Sequence, residues 1–326
     1  MTNALTHRRM IKRIPLFFDF STLRPFDFST KFFKQMKTTT YFLAALVFIG
    51  IHTMAIGQNE TTVSDEVLLE LYRGARVADV VDAMATVGYT GIGVMHPEIA
   101  PLWRDVKTME HRFAGIAVTV RYGPTNHPMH PGADLTKPEE YQTYRQWRGM
   151  WYNQLSPEPF RQYIKPGTVI VMDNKDDNDT GSTGSKNILD WKEAGAVGLV
   201  TAGGIRDIDE IILQRNPVYT NYYKRGRGER IGRNEVIDVQ RPVVVGGVLV
   251  YPGDVVVADS DGVVVVPRRV AARVGQIAYM ELVDDIEGRR YFYEQLGLPF
   301  DDTTELREDP VSFFKRLGLP EDPNKP

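Results

Sequence analysis

Gly203-Gly204-Ile205-Arg206-Asp207 follows directly on the apolar run 196–201 and carries the densest potential chemistry in the chain. Two glycines let a backbone turn tightly and approach a ligand closely. Arg206 offers a planar fork for a carboxylate, and Asp207 places a hard oxygen ligand beside it. The same residues also make a glycine turn with an Asp helix cap and a surface arginine, and the pattern alone leaves both open. A second stretch, Gly181-Ser182-Thr183-Gly184-Ser185, opens a helical pattern, where free amides and the helix dipole suit an anion. It lacks the Lys-Ser/Thr end of a P-loop and the GxGxxG spacing, so nucleotide binding has little support.

Other groups read more blandly. Asp173, Asp176, Asp177 and Asp179 form an acidic run without calcium-loop spacing, expected mostly as a solvated loop with one possible metal contact. His127 and His130 are flanked by prolines and have no evident third ligand. Tyr222, Tyr223, Lys224, Arg225, Arg227 and Arg230 look like an RNA-binding patch, although a solvated loop or a subunit contact is the simpler reading. Composition supports that. The 326 residues are 42% hydrophobic and 25% charged with a net charge of −3, as in a soluble globular protein. With 39 basic against 42 acidic residues there is no global footprint for nucleic acid. The absence of cysteine excludes disulfides, thiolate metal sites and a cysteine nucleophile.

The elements that must position these loops are α/β. Ser64 is placed to cap a helix with Val67, Leu68 and Leu71 on one face, and a second helix is expected over 77–85. Residues 113–120 read as a buried strand. An aromatic amphipathic helix is expected from Thr136 through Tyr141, Tyr144, Trp147 and Trp151. Then come a strand (167–173), a polar loop, a helix ending at Gly195, a strand (196–201) and another short helix. Such an order predicts parallel strands with a right-handed crossover, so both loops leave at the carboxyl edge of the sheet, side by side. Short valine-rich strands follow, then a long helix over about 268–297.

The amino-terminal segment has the marks of targeting. The uncharged run 41–51 follows Lys34 and Lys37, and Ala55 and Gly57 precede Gln58. A basic start, a short apolar stretch and a small-residue exit describe a secretory signal over 36–57. The run is too short for a comfortable membrane span. Residues 1–35 are expected to be an upstream extension that does not fold, 58–300 the folded domain, and 301–326 a polar tail. The protein is thus expected outside the cytoplasm, periplasmic or secreted, without stable membrane insertion after cleavage.

A family resemblance enters here. AGGIRD at 202–207, followed about fifty residues on by YPGDVVVADSDGVVVVP (251–267), resembles the RraA-like family, the regulators of ribonuclease activity and the 4-hydroxy-4-methyl-2-oxoglutarate aldolases. Residues 79–84 are similar to its opening helix. The resemblance implies a swivelling β/β/α domain with a parallel central sheet and a long C-terminal helix. It implies homotrimers or hexamers with sites near subunit boundaries. By that resemblance Arg206 contacts a 2-oxo acid and Asp207 holds Mg²⁺ (or Mn²⁺). The backbone at Thr183, Gly184, Ser185, Lys186 and Asn187 takes the substrate carboxylate, and Glu281 is the candidate carboxylate supplied by a neighbouring copy. Two departures stand out: the aldolases usually carry acids where this chain has Ser185 and Ala202. The implied function is a metal-dependent lyase for a small 2-oxo acid, by retro-aldol cleavage or oxaloacetate decarboxylation. The alternatives are a non-catalytic binding or regulatory protein, and a lyase or hydratase for carbohydrate-derived keto acids.

Overall fold

The computed structural model describes residues 63–127, 136–175, 179–224 and 226–324. The signal-like segment and the upstream extension lie outside them, as do Asp176, Asp177, His130 and Arg225.

The apolar run 168–173 becomes a strand buried on both faces, as parallel sheets require. The strands are β1 (Ile99–Pro101), β2 (Phe113–Pro124), β3 (Thr168–Asp173), β4 (Ala196–Thr201) and β5 (Val218–Asn221). They continue as β6 (Asn234–Val239), β7 (Val243–Val245), β8 (Val248–Val250), β9 (Val255–Asp259) and β10 (Gly262–Val266). One sheet runs β1-β5-β4-β3-β2-β9-β10, and β7 and β8 form a separate hairpin. Strands β2 to β5 are parallel, with Val120 opposite Met172 and Met172 opposite Thr201. Strand β2 joins the halves: its start pairs antiparallel with β9 and its end with β6.

Among the described residues the α-helices are α1 (Asp65–Leu71), α2 (Val77–Thr86), α3 (Pro138–Met150), α4 (Ser185–Glu193), α5 (Ile208–Leu213), α6 (Ala271–Leu296) and α7 (Pro310–Arg316). Ser64 caps α1 by accepting from the Val67 amide at 3.3 Å, as its sequence position predicts. Alternate strand residues sort into separate cores because side chains on a strand point to opposite faces. Val169, Val171, Val256 and Ala258 share one core with the β7–β8 hairpin. Ile170 and Met172 face a second, under Ile188 and Trp191 of α4. Val255 and Val257 face a third, packed by α1, α2 and α6.

Two segments differ from expectation. Helix α3 forms where an aromatic amphipathic helix was expected, but none of its residues is buried. Its rings contact each other instead: Trp147 lies 5.9 Å from both Tyr144 and Trp151 between ring centroids. Only Trp151, in the π turn that follows, is fully buried. The polar stretch after 300 also packs. Gly297 ends α6 in the left-handed conformation (φ 65°), and the chain folds back to seat Phe313 and Phe314 against Tyr279. Two adjacent phenylalanines outweigh the polar composition around them.

Candidate active site

Helix α4 starts at the carboxyl end of β3, and α5 at the carboxyl end of β4. Because these strands are neighbours and parallel, the two preceding loops lie side by side. Thr183 and Ile205 form a parallel bridge, and the Arg206 amide donates to the Thr183 carbonyl at 3.1 Å. The pairing brings Asp207 against the start of α4. Its Oδ2 accepts from the Ser185 amide at 3.0 Å and from the Ser185 hydroxyl at 3.3 Å. Asp207 therefore caps α4, across the sheet edge, and makes no side-chain cap for its own helix. To do so it adopts the left-handed region (φ 58°, ψ 45°), which Asp tolerates better than most residues.

The glycines are there for close approach. A Cβ at Gly184 would stand 2.5 Å from Asp207 Oδ2 and 3.3 Å from Arg206 Nε, so any side chain would collide with Asp207 and crowd Arg206. At Gly203 a Cβ would fall 2.4 Å from the Asn174 side chain. Asn174 is buried just past β3, and its Oδ1 accepts from the Gly203 amide and the Thr201 hydroxyl, each at 2.7 Å. That locks the turn that aims Arg206.

Arg206 is two-thirds buried and stands between two acids. Its Nε is 3.8 Å from Asp207 Oδ1, and its Nη1 is 3.8 Å from Glu229 Oε1. Glu229 is fixed from the other side by an Arg148 fork at 2.8 and 3.0 Å and by the Tyr152 hydroxyl at 3.3 Å. The Arg148 hydrogen bonds hold the Glu229 carboxyl below its ordinary pKa, and Glu229 in turn raises that of Arg148. Beneath lies Arg230, only 4% exposed, with Nη1 2.6 Å from Glu158 and 2.9 Å from the Tyr122 hydroxyl. Burial works against its charge, but Tyr122 and Glu158 outweigh that and raise its pKa. The other donors to Glu158 are Asn187 at 3.0 Å and Trp191 at 3.2 Å, both on α4.

Among the residues expected at the site, Gly184, Ser185, Arg206 and Asp207 come together. The Asn187 side chain is committed to Glu158, and Lys186 is exposed. Glu281 is exposed on α6, a helix packed on α1 and α2, so any role at this site must come from another copy of the chain. Asp173 is buried at the end of β3 and so departs from the solvated loop expected there, whereas Asp179 is an exposed loop carboxylate, paired at the surface with Arg233. Arg230 is likewise no solvated or RNA-facing residue, because Glu158 and two aromatic rings enclose it. His127 Nε2 lies 3.3 Å from Glu235. Among the described residues, no three His, Cys, Asp or Glu cluster as metal ligands, and no helix is long and apolar enough to cross a membrane.

Residues 77–265 match the family model described as RraA-like, Aldolase/RraA. The chain belongs to the RraA-like family. This family includes 4-hydroxy-4-methyl-2-oxoglutarate aldolases and ribonuclease inhibitors. A Halalkalibacterium halodurans protein named "Putative 4-hydroxy-4-methyl-2-oxoglutarate aldolase" is 32% identical over 120 residues, 37% of this chain. The match spans 56% of that relative's length. An uncharacterized Pseudomonas syringae protein shares the fold at a TM-score of 0.52 and 24% identity, covering 74% of this chain and 98% of that one. RraAS2 of Streptomyces coelicolor, described as an unusual member of the RNase ES inhibitor RraA protein family, has a TM-score of 0.50 at 22% identity. It covers 71% of this chain and 97% of its own.

Sequence reasoning missed Arg148, Glu158, Glu229 and Asn174. Asn174 had a usable signal, its position just past the carboxyl end of a strand. The ion pairs had none, since Arg148 and Glu229 are 81 residues apart and meet only through tertiary packing.

Proposed function

We propose that this RraA-like protein is a divalent-metal-dependent lyase for a small 2-oxo acid. It would perform retro-aldol cleavage of a 4-hydroxy-4-methyl-2-oxoglutarate type substrate, or oxaloacetate decarboxylation. The observation that carries this reading is the approach of Asp207 and Arg206 to Gly184 at the start of α4. A guanidinium and helix-terminal amides suit the carboxylate and the 2-oxo oxygen of such a substrate.

Asp207 is the residue that would hold Mg²⁺ or Mn²⁺. Its Oδ2 is engaged by Ser185, while Oδ1 stands 3.8 Å from Arg206. One carboxylate fits an ion that keeps several waters and is often held by one or two acids. When bound, it would polarise the substrate's 2-oxo oxygen as a Lewis acid. Arg206 stabilises the negative charge that develops there as the bond between C3 and C4 breaks and its electron pair moves into the pyruvate enolate. The C4 hydroxyl loses a proton in that step, and Glu281 of a neighbouring copy in a trimer or hexamer is the proposed acceptor. The test is pyruvate release and oxaloacetate decarboxylation with Mg²⁺, with Mn²⁺ and with a chelator. A metal-independent rate, or equal rates in wild type and Arg206→Ala, contradicts the reading.

Ser185 supports a second reading. Its hydroxyl bonds Asp207 where the aldolases carry an acid, which favours a metal-dependent binding or regulatory protein. Tight Mg²⁺-dependent oxalate binding without turnover would select it. Export completes the proposal: the mature amino terminus is expected near Gln58, and a cytosolic protein that retains Met36 would contradict it.

A further inference from the structure

Helix α4 begins at the candidate active site and ends at a second cavity, on the opposite edge of the sheet. This cavity, about 540 Å³, opens at the amino ends of β2 and β4 and the approach to β5. Its floor is apolar: Phe113, Ile188, Trp191 and Leu199 all line it and all are buried. Gly198 is open enough to admit the Phe113 ring, which a Cβ there would strike at 2.4 Å.

The rim is cationic. Arg112, Lys192 and Arg215 line it against one acid, Glu110. Arg215 is neutralised by Glu110 and Asp105. Arg112 and Lys192 are exposed, and among the described residues neither pairs with a carboxylate; Lys192 Nζ contacts only the Asn216 side-chain oxygen, at 3.1 Å. A concave space of a few hundred cubic ångströms with apolar walls and a few placed polar groups is the form of a small-molecule site. Apolar floor and unpaired cations together select an amphipathic anion.

We propose that this cavity is a second ligand site, specific for an amphipathic carboxylate, with a ring or chain over its apolar floor and the carboxylate between Arg112 and Lys192. It goes beyond the lyase reading and stands without it. Trp191 also donates to Glu158, which holds Asn187 and Arg230, so occupancy bears on the same buried network that supports the active site.

The test is titration of the full chain with naphthalene-2-carboxylate, read by Trp fluorescence, beside its neutral carboxamide. Saturable binding of the carboxylate is expected. The double variant Arg112→Ala/Lys192→Ala should weaken it about tenfold, the scale of two exposed charge contacts, and leave the carboxamide unchanged. Ala196→Phe, which adds bulk at the lining, should block both probes, and Arg206→Ala should affect neither. The surface double variant keeps the test meaningful if Ala196→Phe does not fold. No saturable binding overturns the proposal, as does equal binding in the double variant or loss in Arg206→Ala. Light scattering that shows Ala196→Phe dissociating an oligomer would also overturn it, by making the face a subunit contact.

Discussion

The two loops at the carboxyl ends of β3 and β4 meet the insertion between β2 and β3 around Arg206, yet the two regions are built on opposite terms. The loops are held by backbone. Gly184, Gly203 and the Thr183–Ile205 bridge fix them, and Asp207 is positioned by an amide. The insertion is held by charge: Arg148 on Glu229, Glu158 on Arg230. Backbone placement is set by local sequence and topology, while charge placement depends on pairs far apart in the chain. The first kind of order can be read before the fold is known, and the second cannot.

The largest effect should come from breaking the charged side. Glu158→Ala leaves Arg230 buried without its carboxylate, which costs about 3–5 kcal/mol when one partner of a buried pair is removed. Urea unfolding would measure it. A change below 1 kcal/mol would mean that Tyr122 and the Ser156 carbonyl alone support Arg230.

Next in size is the loop side. Arg206→Lys keeps the charge but loses the planar fork, and Arg206→Ala loses both. Removal of a preorganised donor lowers turnover by about 10²–10³. Equal loss in both variants points to fork geometry, whereas a mild Lys variant points to charge alone. Because Glu229 lies 3.8 Å away, the Lys variant also tests whether that acid can re-pair with an ammonium.

That contrast also explains what the sequence made legible. The parallel order of β3 and β4 and the side-by-side placement of their loops follow from strand–loop–helix repetition. The long helix expected over about 268–297 is observed at Ala271–Leu296. Burial of Arg230 was hidden by its basic, aromatic neighbours, which read as a surface patch. The packing of α7 was hidden by the acids and prolines around Phe313 and Phe314. In each case tertiary contact decided, and local composition pointed the other way.

Smaller effects sharpen the same comparison. Ser185→Ala removes the hydroxyl from Asp207 but keeps the amide, so metal-dependent oxalate affinity should move by about 0.5–1.5 kcal/mol, one hydrogen bond. A larger loss would show that the hydroxyl, not the backbone, positions Asp207. Arg148→Ala should cost the least, about 0.2–1 kcal/mol, because the pair is partly exposed. Its pH signature is distinct. Glu229 is held below its ordinary value of 4.5 by Arg148, so its stabilisation is present above about pH 4.5 and is lost as pH falls through the depressed value. In Arg148→Ala the Glu229 titration, followed by carboxyl NMR shifts, should move back toward 4.5; an unmoved titration would assign the depression to Arg206 and the Tyr152 hydroxyl.

The central claim is that Asp207, placed by the Ser185 amide, anchors a metal beside Arg206. Calorimetric titration of oxalate with Mg²⁺ and with a chelator, in wild type and Asp207→Asn, tests it most directly. Asn tolerates the left-handed backbone that Asp207 adopts, so the fold is retained. Oxalate should bind wild type only when Mg²⁺ is present and should not bind Asp207→Asn in either condition. Binding that is equal with and without metal, or equal in the two proteins, would contradict the account.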